Sequence, residues 1–251
     1  MTHLIEASMK ILVAGGSGGI GRAFVEEIVH EMPKAEVHAT FFRSAPDFKS
    51  SPENNNSENS VRWHRSDLTD ADSVEQLANS VGPIDWIINA SGMLHTPTQM
   101  PEKSITQIDS DFFHKTMAVN VLSTLFLARY FLKNFKGSEC PRFVALSARV
   151  GSIEDNKVGG WYSYRASKSA LNMVLKTLSH EWRRKKPDGC IVAIHPGTVD
   201  TQLTEPFKKN VPPEKLFSSK HSAQRMLEVI RRLSSEQTGQ FLAYDGSLIP
   251  W

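Results

Sequence analysis

The architecture of this chain follows from one run near its N-terminus, Met9-Lys10-Ile11-Leu12-Val13-Ala14-Gly15-Gly16-Ser17-Gly18-Gly19-Ile20-Gly21. The apolar first half predicts a short strand that is buried on both faces. Apolar residues at helical spacing continue over 22–29, which predicts a helix directly after the glycines. A strand, a glycine-rich turn and a helix in this order predict the start of a βαβ unit.

The glycine-rich turn is the first candidate binding site. Its glycines follow the spacing G-x-x-x-G-x-G, which lets the backbone turn tightly and approach a pyrophosphate. The N-terminus of the next helix would add N–H groups and the positive end of a dipole. The context therefore predicts dinucleotide binding, with an ordinary loop as the alternative. The candidate contacts are Gly15, Ser17, Gly18, Gly19, Ile20 and Gly21.

Strand-like and helix-like segments alternate through the rest of the chain. Further strands are predicted at 36–42, 61–65, 84–92, 142–147, 190–195 and 240–244. Helices are predicted at 71–80, 112–135, 163–185 and 221–233. Because such alternation implies right-handed crossovers, we predict an α/β fold: one Rossmann-type, doubly wound parallel β-sheet flanked by helices. The length of 251 residues suits a single domain over 1–251.

Two polar segments are expected outside the sheet. Residues 44–60 are rich in Ser, Asn and Pro and predict a mobile surface loop. Residues 201–220 contain three prolines and predict a lid over the substrate, with short helices. Together with the loop 93–104, this lid is expected to shape the substrate pocket.

Composition argues against several kinds of partner. Lys and Arg total 29 against 27 for Asp and Glu, so the net charge gives no sign of nucleic-acid binding. Cys140 and Cys190 lack metal-ligand spacing, which favours a reduced, cytoplasmic compartment. No apolar run approaches the roughly 20 residues of a membrane span. The first residues resemble no secretory or transit signal.

A second motif opens the predicted helix 163–185. Tyr164 stands four residues before Lys168, so the two side chains share one face of a helix. A nearby ammonium favours tyrosinate and should lower the pKa of the phenol from its usual value near ~10. The pair would then act as a general acid/base. The alternative is a chance pair on a solvated face.

The end of the second strand bears on cofactor choice. Phe42 stands where an acid would hold a ribose 2′-hydroxyl, and the next residue, Arg43, could pair with a 2′-phosphate. We therefore predict a preference for NADP(H), with NAD(H) as the alternative. An ordinary surface role for Arg43 is the competing interpretation.

Several polar residues are candidates for structural or functional roles. Asp67 either caps a helix or accepts a hydrogen bond from adenine, while Asp70 or Thr69 could cap the helix at 71–80. Asn120, within a predicted helix, is either a satisfied core amide or part of a polar relay. Ser147 falls at the end of the fifth strand, where active-site groups collect. His195 ends the sixth strand and is interpreted as structural.

These motifs, in this order over nearly the whole chain, resemble the compact form of the short-chain dehydrogenase/reductase family. Within that family, the sequences around 147–153 and 159–168 resemble the group of the bacterial C-signal factor and the sniffer-type carbonyl reductases. The matching positions are Gly15, Gly19, Ile20, Gly21, Asp67, Leu68, Asn89, Ala90, Ser91, Gly92, Asn120, Ser147, Tyr164, Lys168 and the run 196–201.

The resemblance implies an oxidoreductase that transfers a hydride between NADP(H) and a carbonyl or alcohol substrate. Tyr164 would donate or accept the proton, and Lys168 would lower its pKa and bind the nicotinamide ribose. Ser147 would hydrogen-bond the substrate oxygen, and Asn120 would hold a water that links Lys168 to solvent. A homodimer or homotetramer is expected on the same ground. The implied cofactor contacts also include Asp67, Leu68, Asn89, Ala90, Ser91, Gly92, Pro196, Gly197, Val199 and Thr201.

One departure concerns the serine. The family usually has it three residues before a glycine, but Ala148 holds that position relative to Gly151. Ser147 is preferred over Ser152 because a strand terminus fixes a hydroxyl better than a loop does. A cofactor-binding signalling or regulatory protein without turnover is the second hypothesis, and the intact Tyr164/Lys168 pair argues against it. A sugar-nucleotide epimerase is a third, disfavoured by the glycine spacing.

Overall fold

The computed structural model describes residues 9–44, 46–47 and 61–251. Each predicted strand and helix has a counterpart at its expected place. The strands are β1 (Lys10–Ala14), β2 (Glu36–Phe41), β3 (Arg62–Arg65), β4 (Trp86–Asn89), β5 (Arg142–Leu146), β6 (Cys190–His195), β7 (Thr198–Val199), β8 (Leu216–Phe217) and β9 (Gln240–Ala243). The α-helices are α1 (Gly19–Glu31), α2 (Ala71–Val81), α3 (Ser110–Met117), α4 (Ser123–Phe131), α5 (Tyr162–Lys185) and α6 (Ser219–Arg232).

Seven strands form one parallel sheet in the order β3-β2-β1-β4-β5-β6-β9. The strand order runs outward from β1 on one side and from β4 on the other, so the winding reverses between these two strands. Ligands of open α/β sheets bind outside the carboxyl ends of the strands at such a reversal. The predicted doubly wound, Rossmann-type fold is therefore confirmed.

Each face of the sheet carries its own apolar core. Leu12, Ile87 and Phe143 point to one face and pack with α2, α4 and α5. Their sequence neighbours Ile88 and Val144 point to the other face and pack with α1 and α6. Successive strand residues alternate between faces, so a strand covered on both sides needs a continuous apolar run. This is why the central strands could be recognised from the sequence.

The prediction of one long helix over 112–135 needs a correction. The run is helical from α3 through α4, but Ala118–Leu122 between them forms a π-helical turn, and Leu132–Phe135 forms a 3₁₀ turn. A π turn accommodates an extra residue within a helix and often marks a functional site. Asn120 lies in the middle of this turn and is buried.

The segment between β6 and α6 is built from short pieces. Strands β7 and β8 form a separate parallel pair, and 3₁₀ turns lie between them at Glu205–Asn210 and Pro213–Lys215. The loop predicted at 44–60 lies outside the described residues except at 44 and 46–47. Within the described ranges, no helix combines the length and the apolar character needed to cross a bilayer.

Candidate active site

A cavity of about 260 Å³ opens at the carboxyl ends of the central strands. The glycine-rich turn, the residues after β4, the end of β5, the first turns of α5 and the segment after β6 surround it. Candidate site residues that are far apart in the sequence thus meet at one edge of the sheet, as expected for this fold. The lining residues are Gly18, Gly19, Ile20, Gly21, Ala90, Ser91, Gly92, Leu146, Ser147, Tyr164, Lys168, Pro196, Thr201, Gln202 and Leu203.

The glycine-rich turn leaves no room for side chains at two positions. Gly15 has φ +77°, and a Cβ there would lie 2.8 Å from the Ser91 backbone nitrogen. At Gly21 a Cβ would lie 2.1 Å from the Gly15 carbonyl oxygen. The N-cap residue of α1, Gly18, provides no side-chain cap to the first N–H groups of the helix. This open cradle of backbone donors fits a pyrophosphate.

The chain after β4 also presents its backbone to the cavity. Asn89 Oδ1 accepts hydrogen bonds from the Ser91 backbone N–H (3.0 Å) and the Ser91 hydroxyl (2.6 Å). Asn89 Nδ2 donates to Thr124 Oγ1 at 2.9 Å. The side chain of Asn89 therefore holds the turn, while Ala90, Ser91 and Gly92 line the cavity.

Tyr164 and Lys168 lie on one face of α5 and are both buried. Lys168 Nζ donates to the Leu146 carbonyl at 2.9 Å and lies 5.7 Å from the centre of the Tyr164 ring. Burial lowers the pKa of Lys168 to about 8. Burial also raises the pKa of Tyr164 above its usual value, which is the opposite of the predicted direction. The phenol therefore holds its proton at neutral pH.

Asn120 has a full set of side-chain partners. Its Oδ1 accepts from the Met93 backbone N–H at 2.7 Å, and its Nδ2 donates to the Met93 carbonyl and to Ser167 Oγ, both at 2.9 Å. Ser167 Oγ in turn donates to the Tyr164 carbonyl at 2.8 Å. The amide is thus a satisfied core group that ties the chain after β4 to α5.

Ser147 and Ser152 differ in their access to the cavity. Ser147 lines it, but its hydroxyl donates to Asn172 Oδ1 at 2.6 Å, two helical turns beyond Tyr164. Ser152 is buried and accepts from the Asp155 backbone N–H at 3.1 Å. It is absent from the described residues that line this cavity. Of the two candidates, Ser147 alone lines the cavity. Its hydroxyl proton is directed toward Asn172 and not into the cavity.

The predicted adenine and phosphate contacts lie apart from this cavity. Asp67 Oδ1 accepts from the Thr69 backbone N–H (2.9 Å) and hydroxyl (2.7 Å), so Asp67 closes a local turn. Asp70 caps α2 by accepting from the Ser73 N–H at 2.8 Å. Arg43 is exposed just after β2. The other predicted contacts outside the lining of this cavity are Gly15, Ser17, Leu68, Asn89, Gly197 and Val199.

A second cavity of about 440 Å³ adjoins the first and shares Tyr164 with it. Its walls are largely apolar and aromatic. The Trp161 ring lies 6.2 Å from that of Tyr164 and 4.9 Å from that of Phe207, between centroids. Other apolar lining residues are Ile20, Leu94, Val150, Val158, Val199, Leu203 and Val211.

Trp161 and Glu102 meet at the start of α5, and the sequence did not predict either of them as a site residue. Trp161 has φ +53° and is the non-glycine residue with positive φ in the described part of the chain. Its N–H donates to the Glu102 carbonyl at 2.5 Å. The buried Glu102 carboxylate accepts from the Ser163 N–H at 3.1 Å and from the Ser163 hydroxyl. No local sequence pattern connects residues 61 positions apart.

A doubly wound parallel sheet with a glycine cradle at its reversal point is the architecture of dinucleotide-binding proteins, and here a buried Tyr–Lys pair lies beside the cradle. Residues 9–212 match the family model described as short chain dehydrogenase. The chain therefore belongs to the short-chain dehydrogenase/reductase family of NAD(P)-dependent oxidoreductases.

Individual relatives agree with this assignment. The C-signal protein of Myxococcus xanthus is 31% identical over 171 residues, which cover 68% of this chain and 94% of that protein. The NADPH-bound carbonyl reductase from chicken fatty liver superposes with a TM-score of 0.82 at 25% identity, covering 99% and 97% of the two chains. Carbonyl reductase Sniffer of D. melanogaster superposes with a TM-score of 0.79 at 22% identity, and the match covers 97% of this chain and 100% of that one.

Proposed function

We propose that this protein reduces apolar, aromatic carbonyl compounds with NADP(H), and that Tyr164 delivers the proton. The observation that carries the proposal is the place of Tyr164 on the wall shared by two adjoining cavities. One is bordered by the glycine-rich turn and suits a dinucleotide. The other has aromatic and aliphatic walls and suits a hydrophobic substrate.

The cofactor site is proposed from the open backbone around the smaller cavity. The glycine-rich turn 15–21 would hold the pyrophosphate, and Ala90–Gly92, Lys168 and the run 196–201 would hold the nicotinamide half. When bound, the reduced nicotinamide supplies the hydride. Exposed Arg43 and the NADPH bound by the chicken carbonyl reductase support NADP(H) over NAD(H).

Proton delivery follows from the burial of the Tyr–Lys pair. Because its pKa is raised, Tyr164 is a neutral phenol that can donate a hydrogen bond and then a proton to a carbonyl oxygen. The ammonium of Lys168 stabilises the tyrosinate that remains. Asn120 is proposed to support this pair by fixing the chain at Met93, and its role in a water relay to Lys168 stays a proposal.

Ser147 is proposed as a second group that positions the substrate oxygen. It lines both cavities, and a rotation of its side chain would redirect the hydroxyl from Asn172 into the site. Thr201 and Leu203 line both cavities as well, so the segment after β7 is proposed to act as the lid.

The similarity to C-signal supports one alternative, a cofactor-binding signalling protein without turnover. Such a protein would need the glycine cradle but not a buried proton donor. The cytoplasmic location and the homodimer or homotetramer remain expectations from cysteine usage and family resemblance.

The deciding experiment measures NADPH oxidation with a panel of aromatic ketones, aldehydes and quinones for the native protein and for Tyr164→Phe. The variant should lose turnover by about 10³-fold, because general-acid catalysis contributes roughly that factor. Its NADPH affinity should be unchanged and tighter than its NADH affinity. Equal turnover of the two proteins would contradict the role of Tyr164, and tighter NADH binding would contradict the cofactor preference.

A further inference from the structure

The larger cavity contains an ionisable side chain that the proposed mechanism does not use. His195, the last residue of β6, lines this cavity. Its Nδ1 is buried and has no hydrogen-bond partner among the described residues. A purely structural histidine at a strand end would have its buried nitrogen bonded, as most buried polar groups are. Nε2 is not sealed in this way and has no hydrogen bond to another described residue, so it is the ring nitrogen available to a ligand in the cavity.

The other charged side chains of this cavity are already engaged. Arg149 pairs with Asp155 at 3.0 Å between Nη1 and Oδ2. Arg165 donates to the carbonyl groups of Gly160 (3.0 Å) and Val150 (3.2 Å). The Ser147 hydroxyl donates to Asn172. Unlike these groups, the His195 imidazole forms no side-chain hydrogen bond with another described residue, which leaves it available to a polar substrate atom.

The protonation state of this imidazole follows from its surroundings. Burial, with a contribution from the positive charge of Arg149, lowers the pKa of His195 to about 4. The ring is therefore neutral at neutral pH and carries a single N–H. A buried N–H without an acceptor is rare in proteins, so the proton belongs on Nε2 rather than on the sealed Nδ1.

We propose that His195 Nε2–H donates a hydrogen bond to a second polar atom of the substrate, apart from the carbonyl that is reduced. The preferred substrates are then apolar carbonyl compounds with an additional hydrogen-bond acceptor, of which aromatic diketones are the simplest example. This rests on the proposed function for the reaction, but binding at His195 does not require turnover. An unmet donor in a largely apolar wall discriminates against ligands that lack the acceptor.

The test compares benzil, an aromatic diketone, with deoxybenzoin, in which a methylene group replaces one carbonyl. Both are titrated into the protein loaded with NADP⁺, which cannot deliver a hydride, so binding is measured without reaction. The native protein should bind benzil more tightly. His195→Phe, which keeps a ring but has no donor, should weaken benzil binding by about fivefold to tenfold and leave deoxybenzoin unchanged. His195→Gln, which keeps an N–H, should retain most of the preference.

Equal affinity of the native protein for the two ketones would overturn the proposal without any variant. An equal loss for both ketones in His195→Phe, at unchanged NADP⁺ affinity, would overturn it as well. Turnover is measured separately with NADPH. If neither ketone is reduced, the proposed function fails, while the binding comparison still decides the role of His195.

Discussion

In the proposed mechanism, the reactivity of Tyr164 depends on the charge of Lys168, one helical turn away. The ammonium is buried against the Leu146 carbonyl, and its pKa is lowered to about 8. A cation beside the phenol stabilises the negative charge that develops as the proton leaves. This stabilisation is lost when Lys168 gives up its own proton as the pH rises.

We therefore expect kcat/KM for ketone reduction to fall as the pH rises above about 8. Lys168→Arg should move this decline to higher pH at a lower overall rate, because a guanidinium stays charged. The measurement is the pH profile of both proteins with NADPH and one aromatic ketone. A decline at the same pH in both would show that another group titrates.

Glu102 should affect both the stability of the fold and the turnover of the enzyme. Its buried carboxylate accepts two hydrogen bonds from Ser163, which precedes Tyr164. Glu102→Gln replaces one accepting oxygen by a donor and should lower the free energy of unfolding by about 1–3 kcal/mol. Turnover should fall as well, because the first turn of α5 loses its fixed position.

Urea unfolding and turnover measure the two effects of this substitution. Glu205→Gln is the matched control, since that carboxylate pairs with Lys208 and its side chain is 66% exposed. It should change the free energy of unfolding by less than about 0.5 kcal/mol. If Glu102→Gln behaves like Glu205→Gln in both assays, the contact to Ser163 has no energetic importance.

At the level of the element, α5 begins on a strained residue. Trp161 holds a left-handed backbone conformation, with φ +53°, and its ring packs on Tyr164 and Phe207. This conformation is unfavourable for a residue with a side chain. Trp161 therefore has two properties at the start of α5. Its backbone conformation is unfavourable, and its ring forms part of the aromatic wall of the larger cavity.

Replacing Trp161 by Gly and by Ala separates the two effects. Both variants lose the indole and should show a raised KM for aromatic ketones. Trp161→Gly should be more stable than Trp161→Ala by about 1 kcal/mol, because glycine adopts positive φ without a steric penalty. Urea unfolding of the pair measures this difference. A more stable Ala variant would show that the left-handed conformation is not retained.

The elements differ in how well the sequence predicts them. Apolar runs such as β4 and β5 are predictable because both faces of a parallel sheet are buried. The π turn at Asn120 is not, since a periodicity of 3.6 residues does not reveal one inserted residue. The direction of the Ser147 hydroxyl depends on Asn172, which only the packing of α5 against β5 brings near. The Tyr164 pKa was mispredicted because burial was not visible in the spacing.

At the scale of the whole molecule, a pair of histidines lies on the two strands at one edge of the sheet. His38 in β2 and His64 in β3 stack with centroids 5.1 Å apart, and a hydrogen bond of 2.8 Å joins His38 Nδ1 to His64 Nε2. His38 Nε2 lies 3.0 Å from Glu36 Oε1. Burial lowers the pKa of both histidines below 6.5. The folded protein therefore resists protonation that the unfolded chain accepts.

This difference predicts acid sensitivity. As the pH falls below about 6.5, the unfolded chain binds protons that the folded protein does not, so the free energy of unfolding decreases. His195 contributes in the same direction down to a pH of about 4. Urea midpoints measured across this range should fall, and His64→Gln should reduce the slope. The exposed His180→Gln is the control and should leave it unchanged.

The small parallel pair β7–β8 has a consequence for how specificity could be redesigned. Thr198 and Val199 pair with Leu216 and Phe217, and the Asp200 N–H donates to the Phe217 carbonyl at 2.8 Å. Both ends of the intervening segment are thus held together by backbone hydrogen bonds, which do not depend on the side chains between them. Loop-closure entropy grows only slowly with length. The stretch 205–215, which includes Phe207 and Val211 of the cavity wall, is therefore a cassette: we expect it to accept grafted sequences of other lengths that reshape the larger cavity without moving the β-sheet beneath it.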